Sequence, residues 1–235
     1  MKIENKRIVL FGGTSGIGLS CAKLMSDKNA NIIYSISRNP EKSSYKADNI
    51  TYKKIDVLDE KQIASFFEEI GAYDILVNTA TGGDRALGPF MEMDLQGYRN
   101  SFRKLWGYTN TVRLGLKNLS KDGCVVLVSG SPARKCKAGQ IALASVGGAV
   151  EAFSKSLASE IKPIRINVVS PGVIDTPMVA LKGEEREKLY NDITKDNLIP
   201  RAGKPEEVAQ AIIFAVENEF LTGTTIDVDG GWLTS

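Results

Sequence analysis

The sequence predicts a three-layer α/β protein built on a doubly wound, mostly parallel β-sheet of about seven strands. Short runs of apolar and β-branched residues alternate with longer amphipathic stretches along the 235 residues. Several of these runs show no polar alternation, which is typical of strands buried on both faces. Such strand–helix alternation indicates right-handed βαβ units with helices on both faces of the sheet. The predicted strands span residues 8–11, 32–36, 50–55, 75–77, 125–128, 164–169 and 225–228.

Helices are predicted from starting signals and from the spacing of apolar residues. Asp59 and Gln62 form a capping-box pattern, and apolar residues follow it at amphipathic spacing. Pro205 suits a first helical position, and two glutamates follow it in the first turn. A further helix is predicted over about residues 97–119. The apolar face of another long helix is formed by Leu143, Val146, Val150, Phe153 and Leu157.

One polar segment, about residues 177–204, interrupts the alternation and has a proline near each end. We expect it to be a lid or insertion over a site, and a plain surface excursion is the alternative. The sequence shows no linker, repeat or low-complexity segment between its ends. The prediction is therefore a single domain over residues 1–235 that carries this lid.

Composition excludes several classes of function. The net charge is +2, and no Lys/Arg cluster is interleaved with aromatic residues, so no nucleic-acid partner is expected. No apolar stretch approaches the roughly 20 residues that cross a bilayer, and the N-terminus does not fit a signal peptide. Three widely separated cysteines show no metal-site spacing, so we expect free thiols, no metal and a cytoplasmic location.

The chain contains no histidine, which restricts its acid–base chemistry. Any acid or base must be Tyr, Lys, Ser, Cys, Asp, Glu or water.

A glycine-rich turn follows the first predicted strand directly. Gly12 lets the chain turn out of the strand, and Gly16 and Gly18 leave no side chain between backbone N–H groups and a pyrophosphate. The spacing is G-x-x-x-G-x-G, and a mere turn is the alternative interpretation. The position after a buried strand and before a helix favours a dinucleotide site. The predicted phosphate-side contacts are Gly12, Thr14, Ser15, Gly16, Ile17 and Gly18.

The end of the second strand indicates which dinucleotide is bound. An Asp or Glu here would bind the adenosine ribose hydroxyls, but the strand ends in Ser37 and Arg38. The guanidinium of Arg38 is suited to a 2′-phosphate. We therefore expect NADP(H) rather than NAD(H), unless Arg38 is only a solvated surface residue.

Together these motifs resemble the short-chain dehydrogenase/reductase family over nearly the whole chain. Residues 12–18 resemble its TGxxxGxG turn, with Phe11 in place of Thr, and residues 229–231 resemble its C-terminal DGG. The resemblance implies a Rossmann-like fold, a nicotinamide cofactor, a small-molecule substrate and a homo-tetramer or homo-dimer. Further cofactor contacts that it implies are Asp56, Val57, Asn78, Ala80, Pro171, Gly172, Val173 and Thr176.

The four residues on which the family's chemistry normally depends are all changed. In the family, Tyr donates a proton, Lys lowers the pKa of that Tyr and binds the ribose, Ser holds the substrate oxygen, and Asn orders a water relay. The segment 151–158 matches the family's helix and sets the register. That register places Leu143 at the Tyr position, Gly147 at the Lys position, Gly130 at the Ser position and Lys104 at the Asn position.

Two functions fit this departure. In the first, the chain is an NADP(H)-dependent oxidoreductase with relocated catalytic groups, which reduces a small carbonyl or a conjugated double bond. Lys104 would stabilise an oxyanion or donate a proton, and Ser129 or Ser131 would hold the substrate oxygen. Arg134 and Lys135 would bind an anionic substrate.

Tyr108, Asp84 and Arg85 are weaker candidates for the same site. In the second function, the site is catalytically inactive, and the chain binds NADP(H) as a sensor or partner subunit.

Overall fold

The structure is a computed structural model that describes residues 1–81 and 85–235. These residues form one sheet of seven parallel strands in the order β3-β2-β1-β4-β5-β6-β7. The strand order reverses between β1 and β4, where an open α/β sheet binds its ligand. The strands are β1 Arg7–Phe11, β2 Ile32–Ser37, β3 Ile50–Lys54, β4 Tyr73–Asn78, β5 Leu119–Val128, β6 Arg165–Pro171 and β7 Thr225–Val228. The predicted fold class is confirmed.

Helices cover both faces of the sheet. On one face, α1 packs with α7, and on the other α2, α4 and α5 pack side by side. The helices are α1 Gly16–Asp27, α2 Glu60–Ile70, α3 Leu95–Ser101, α4 Arg103–Gly115, α5 Ile141–Glu160, α6 Gly183–Thr194 and α7 Pro205–Glu217.

The core has two parts because the sheet is buried on both faces. Under α1 and α7 it is mainly aliphatic, with Met25 and Ile212 fully buried. Under α2 it is aromatic: Phe67 stacks on Tyr73 with ring centroids 5.3 Å apart, and Phe66 meets Tyr34 edge to face at 5.6 Å. This continuous burial explains why the strand segments are apolar on both faces.

Two predicted helix starts are confirmed. The Asp59 carboxylate accepts the backbone N–H of Gln62 at 3.0 Å, and the Gln62 amide donates back to it at 2.8 Å. Pro205 begins α7, and the Glu207 carboxylate accepts the backbone N–H of Lys204 at 2.6 Å.

Two element boundaries differ from the sequence prediction. The helix predicted over 97–119 is divided into α3 and α4 at Phe102, whose N–H bonds to the carbonyl of Arg99, three residues earlier, at 3.1 Å. Strand β5 begins at Leu119, ahead of its apolar run, and a register irregularity between Tyr73 and Ile75 accommodates the polar residues at its start. Apolar patterning cannot show such polar strand extensions.

By length and composition alone, α5 meets the criterion for a membrane-crossing helix, with a hydropathy of 1.2. Core helices pass the same test, and α5 packs on β6 in this fold.

The segment 177–204 leaves the sheet, contains α6 and returns to the chain that precedes it. The N–H of Asp175 donates to the carbonyl of Gly203 at 2.8 Å, and the N–H of Gly203 donates to the carbonyl of Val173 at 2.9 Å. The N–H of Ile199 bonds to the carbonyl of Gly230 at 2.9 Å. These backbone bonds tie the far end of the segment to the chain that leaves β6 and to Gly230.

Asn78 fixes the end of β4 at the point where the strand order reverses. Its side chain is fully buried, donates to the Thr111 hydroxyl at 2.8 Å and accepts the N–H of Ala80 at 3.0 Å. These bonds join β4 to α4 and shape the chain that leaves the strand.

We expect Asn78→Ala to destabilise the fold by about 2 kcal/mol. The substitution leaves the backbone N–H of Ala80 without its acceptor and creates a small cavity. Urea unfolding followed by circular dichroism measures this change. Lys155→Gln on the exposed side of α5 is the control and should stay within about 0.5 kcal/mol of the parent. Equal stabilities of Asn78→Ala and the control would contradict the role given to Asn78.

Candidate active site

The glycine turn between β1 and α1 brings two backbone segments into direct contact. Gly12 has a φ of 84°, and a Cβ there would lie 2.5 Å from the Thr79 hydroxyl oxygen. A Cβ on Gly18 would lie 2.1 Å from the carbonyl oxygen of Gly12. No side chain fits at either position, so the turn requires glycine at both.

The N-terminus of α1 offers uncompensated backbone donors. Gly16 has a φ of 49°, and Ser15 precedes the helix with an extended backbone and no side-chain cap. The first turn contains no acidic residue. Thr14 and Ile17 are half-buried, whereas Ser15 is exposed. Free N–H groups at a helix N-terminus fit the pyrophosphate of a dinucleotide.

The residues predicted for the adenosine end lie at the carboxyl ends of β2 and β3. Arg38 is exposed and forms no ion pair with any residue in the described ranges. Ser37 is half-buried beside it and accepts the N–H of Asn39 at 3.2 Å. Asp56 accepts the N–H of Leu58 at 3.0 Å. Val57 is buried, and its side chain lies 2.6 Å from the position that a Cβ on Gly107 of α4 would occupy.

The other residues predicted to contact the cofactor surround the carboxyl ends of β4 and β6. Ala80 is held by Asn78, and Pro171 ends β6. A Cβ on Gly172 would lie 2.8 Å from the Cα of Asp229. Val173 is tied to the end of the 177–204 segment. Thr176 is buried, and its side chain lies 3.4 Å from the position of a Cβ on Gly16.

Lys104 and Ser129, predicted separately from sequence, lie together. The Lys104 Nζ donates to the Ser129 carbonyl oxygen at 3.0 Å and lies 5.6 Å from the centre of the Tyr108 ring. Burial of this ammonium, and then the nearby charge of Arg85, lower the pKa of Lys104 to about 7. Lys104 can therefore exist in either protonation state near neutral pH.

The two candidate serines differ in their surroundings. The Ser129 hydroxyl donates to a carboxylate oxygen of Glu151 at 2.8 Å. The Ser131 side chain is 1% exposed, and its hydroxyl has no hydrogen-bond partner among the described residues. Buried hydroxyls normally find a partner, so the Ser131 hydroxyl is an unsatisfied buried donor beside the end of β5.

Gly147, Leu143 and Gly130 are the residues that the sequence register assigns to three of the family's catalytic positions. Gly147 is buried on α5, and a Cβ there would lie 2.9 Å from the Cβ of Ala133. The short turn that contains Ala133 thus packs where a lysine side chain would leave the helix. Leu143 is half-buried, and Gly130 adjoins the end of β6, with a Cβ position 3.8 Å from the Pro171 carbonyl oxygen.

The side chains of Arg134 and Lys135 bind other parts of this chain. Arg134 pairs with Asp227 on β7, with one N–O distance of 2.8 Å, and with Glu151 at 3.4 Å. Lys135 donates to the Trp232 carbonyl at 3.0 Å, and its Nζ lies 5.0 Å from the centre of the Trp232 ring. In this structure both cations are bound to the C-terminal part of the chain, and their binding of an anionic substrate stays a prediction.

The three weaker candidates, Tyr108, Arg85 and Asp84, differ in their surroundings. Tyr108 is fully buried and donates to the Val128 carbonyl at 3.1 Å, and burial raises the pKa of its hydroxyl. It is therefore a poor proton donor to a substrate. Arg85 lies 4.0 Å from the sulfur of Met178, which belongs to the 177–204 segment. Asp84 lies outside the described residues.

Sequence reasoning missed two residues of this site. The Thr79 hydroxyl donates to the Phe11 carbonyl at 3.2 Å and contacts the glycine turn. Its position directly after β4 was the available signal. Glu151 lies on a largely apolar helix and binds both Ser129 and Arg134, which no sequence spacing indicated. Within residues 1–81 and 85–235, no group of three or more His, Cys, Asp or Glu side chains could hold a metal.

Comparison with known proteins gives matches along almost the entire chain. A family model described as Enoyl-(Acyl carrier protein) reductase matches residues 12–233. Carbonyl reductase family member 4 of Danio rerio is 32% identical over 236 residues, which cover 95% of this chain and 96% of that protein. The 3-oxoacyl-acyl-carrier-protein reductase FabG of Chlamydia muridarum is 30% identical, with 97% of this chain and 98% of that protein covered.

Solved structures agree with these sequence matches. A small-chain dehydrogenase in complex with NADPH superposes with a TM-score of 0.83 at 29% identity, covering 99% of this chain and 100% of that chain. ElxO with NADP bound superposes with a TM-score of 0.88 at 26% identity, covering 98% and 100%. The chain therefore belongs to the short-chain dehydrogenase/reductase family of nicotinamide-dependent oxidoreductases.

Proposed function

We propose that this protein is an NADP(H)-dependent oxidoreductase with a non-standard active site, which reduces a small carbonyl or a double bond conjugated to one. The observation that carries the proposal is the Lys104 ammonium, which is held 3.0 Å from the Ser129 carbonyl oxygen at the carboxyl edge of β5. Ser129 also donates its N–H to Val169 on β6, next to the segment expected at the nicotinamide end. In this proposal, Lys104 lies beside the nicotinamide end of the bound cofactor.

The glycine cradle fits a dinucleotide, and bound NADPH would supply the hydride. When a hydride adds to a carbonyl carbon, or to the β-carbon of an enone, negative charge develops on the oxygen. Lys104 would stabilise that oxygen as a cation, and the Ser131 hydroxyl would donate a hydrogen bond to it. The proton that completes the product would come from the Lys104 ammonium or from water.

A conjugated double bond suits this set of residues best. An enolate is stabilised by a neighbouring cation and can take its proton later, whereas an alkoxide needs a donor at once. The site offers a cation with a lowered pKa and no tyrosine at the Tyr position. The relatives are named as reductases of carbonyl and acyl-carrier substrates, which supports a reduction.

The proposed preference for NADP(H) depends on Arg38. Its guanidinium is exposed at the end of β2, beside the half-buried Ser37, where it is available to a 2′-phosphate. The NADPH and NADP complexes among similar solved structures support this choice.

A second candidate function is a catalytically inactive NADP(H)-binding sensor or partner subunit. One observation favours it: Ala133 packs against Gly147 and fills the space that a catalytic lysine would occupy. In that case the glycine turn would bind the dinucleotide and the adjoining site would transfer no hydride.

We propose a homo-dimer or homo-tetramer in the cytoplasm. Trp106 on α4 is 61% exposed and Phe214 on α7 is 51% exposed, and both would be covered in such an assembly. All three cysteines are free, as expected for a reducing compartment.

Replacing Lys104 should distinguish the active oxidoreductase from the inactive NADP(H)-binding protein. We expect the parent to oxidise NADPH with an enone or a carbonyl substrate, and Lys104→Met to lower kcat by roughly 10²–10³ while NADPH still binds. Lys155→Met, an exposed change on α5, should leave the rate unchanged. NADPH absorbance over a panel of carbonyls and enones measures turnover, and NADPH fluorescence measures binding. Tight binding without turnover on any substrate would favour the sensor.

The pH dependence tests the charge on Lys104. Its pKa in the folded chain is about 7, so the ammonium predominates below that pH and is lost above it. We therefore expect kcat/KM for reduction to fall as pH rises through this region. Lys104→Arg should remove this alkaline decline because the guanidinium stays protonated. A profile that is unchanged in Lys104→Arg would assign the titration to another group.

Arg38→Ala tests the cofactor preference. Loss of a charge-assisted contact to the 2′-phosphate should weaken NADPH binding by roughly 1.5–3 kcal/mol, with little effect on NADH. Fluorescence titration of the parent and the variant with both nucleotides measures this difference. Equal affinities of the parent for NADPH and NADH would contradict the proposed preference for NADP(H).

A further inference from the structure

Arg186 on α6 ties the beginning of the 177–204 segment to the chain that precedes it. Its Nε donates to the Asp175 carboxylate at 2.9 Å, and its Nη2 donates to the same carboxylate and to the Thr176 carbonyl, the latter at 2.8 Å. Its Nη1 donates to the carbonyls of Val179 and of Leu181, the latter at 3.1 Å. A guanidinium has five N–H donors, so this side chain uses its full capacity on residues 175–181.

Tyr190 supports the guanidinium from the other side. The Arg186 Cζ lies 5.2 Å from the centre of the Tyr190 ring, and this tyrosine is 7% exposed. The arginine is thus stacked on one turn of α6 while it binds the preceding segment. Such stacking and planar hydrogen bonding are properties of arginine that lysine does not share.

The residues that Arg186 holds reach the glycine turn. Thr176 is buried, with its side chain 3.4 Å from the Cβ position of Gly16, and Pro177 lies 3.7 Å from the same position. The backbone bonds of Gly203 fix the far end of the segment independently. Arg186 is therefore the side chain that fixes the near end, where the segment meets the proposed dinucleotide site.

We propose that Arg186 is a positioning residue for the nicotinamide half of NADP(H). It holds residues 175–181 against the glycine turn before the cofactor arrives, so this wall of the site is already ordered. Without it, the segment would have to order during binding, and affinity would fall by the entropy of that step. This inference rests on the proposed NADP(H) binding and concerns a residue that is not itself a predicted cofactor contact but that binds one, Thr176.

The test compares two ligands that share the adenosine end. NADPH contains the nicotinamide half, whereas adenosine 2′,5′-bisphosphate lacks it. We expect Arg186→Gln and Arg186→Lys to raise the Kd for NADPH on the order of tenfold and to leave the Kd for the bisphosphate within about twofold. Lys has only three donors, so it cannot restore the full set of bonds. Lys188→Gln, an exposed change on the same helix, should bind both ligands like the parent.

Limited chymotrypsin digestion without nucleotide gives a second measurement. Cleavage near Leu181 should be on the order of tenfold faster in Arg186→Gln than in Lys188→Gln, because the segment opens more often. Unchanged cleavage, an unchanged Kd for NADPH, or an equal loss of both ligands would each overturn the proposal. So would collapse of the whole fold in both Arg186 variants, seen by circular dichroism. If the parent binds no NADPH, the proposed function fails, while digestion still decides whether Arg186 holds the segment.

Discussion

The close approach of Gly18 to the carbonyl oxygen of Gly12 is the contact on which the dinucleotide site depends. A Cβ at Gly18 would come within 2.1 Å of that oxygen, so strand β1 and helix α1 can meet only through bare backbone. This meeting directs the free N–H groups of α1 toward the point where the strand order reverses. The parallel sheet provides the reversal of strand order, and the glycines allow the close approach of the two backbone segments. The uncapped N-terminus of α1 provides the partial positive charge that favours a phosphate.

A desolvated cation near this site has a consequence for stability as well as for chemistry. Burial lowers the pKa of Lys104 to about 7, so folding disfavours its charged form. Between that value and the usual pKa of lysine, the unfolded chain binds more protons, and stability contributed by this group rises with pH. At acidic and neutral pH, the desolvated ammonium of Lys104 therefore lowers the free energy of unfolding. That destabilisation is what a residue retained for binding or chemistry would show, since an apolar side chain would pack there without the penalty.

The sequence predicted the parts of the structure that depend on local patterning. Continuous apolar runs gave the buried strands, and Asp59 and Pro205 marked helix starts because caps are local. The polar start of β5 depends on its pairing with β4, so apolar patterning could not show it. Arg134 and Lys135 were expected in the site because they follow β5. Their side chains contact Asp227 and Trp232, which are distant in sequence and which only the folded chain brings near them.

Gly147 lies at the position to which the sequence register assigns the family's lysine. The Cβ of Ala133 lies 2.9 Å from where a Cβ on Gly147 would be, so the turn after β5 packs closely onto α5 at this point. Glu151, one turn further along the helix, binds Ser129 and, through Arg134, connects this turn to β7. The turn is thus fixed from both sides in its present position. Because the Ser129 carbonyl in turn accepts a hydrogen bond from the Lys104 ammonium, the packing that leaves no room for a side chain at position 147 also fixes the position of Lys104.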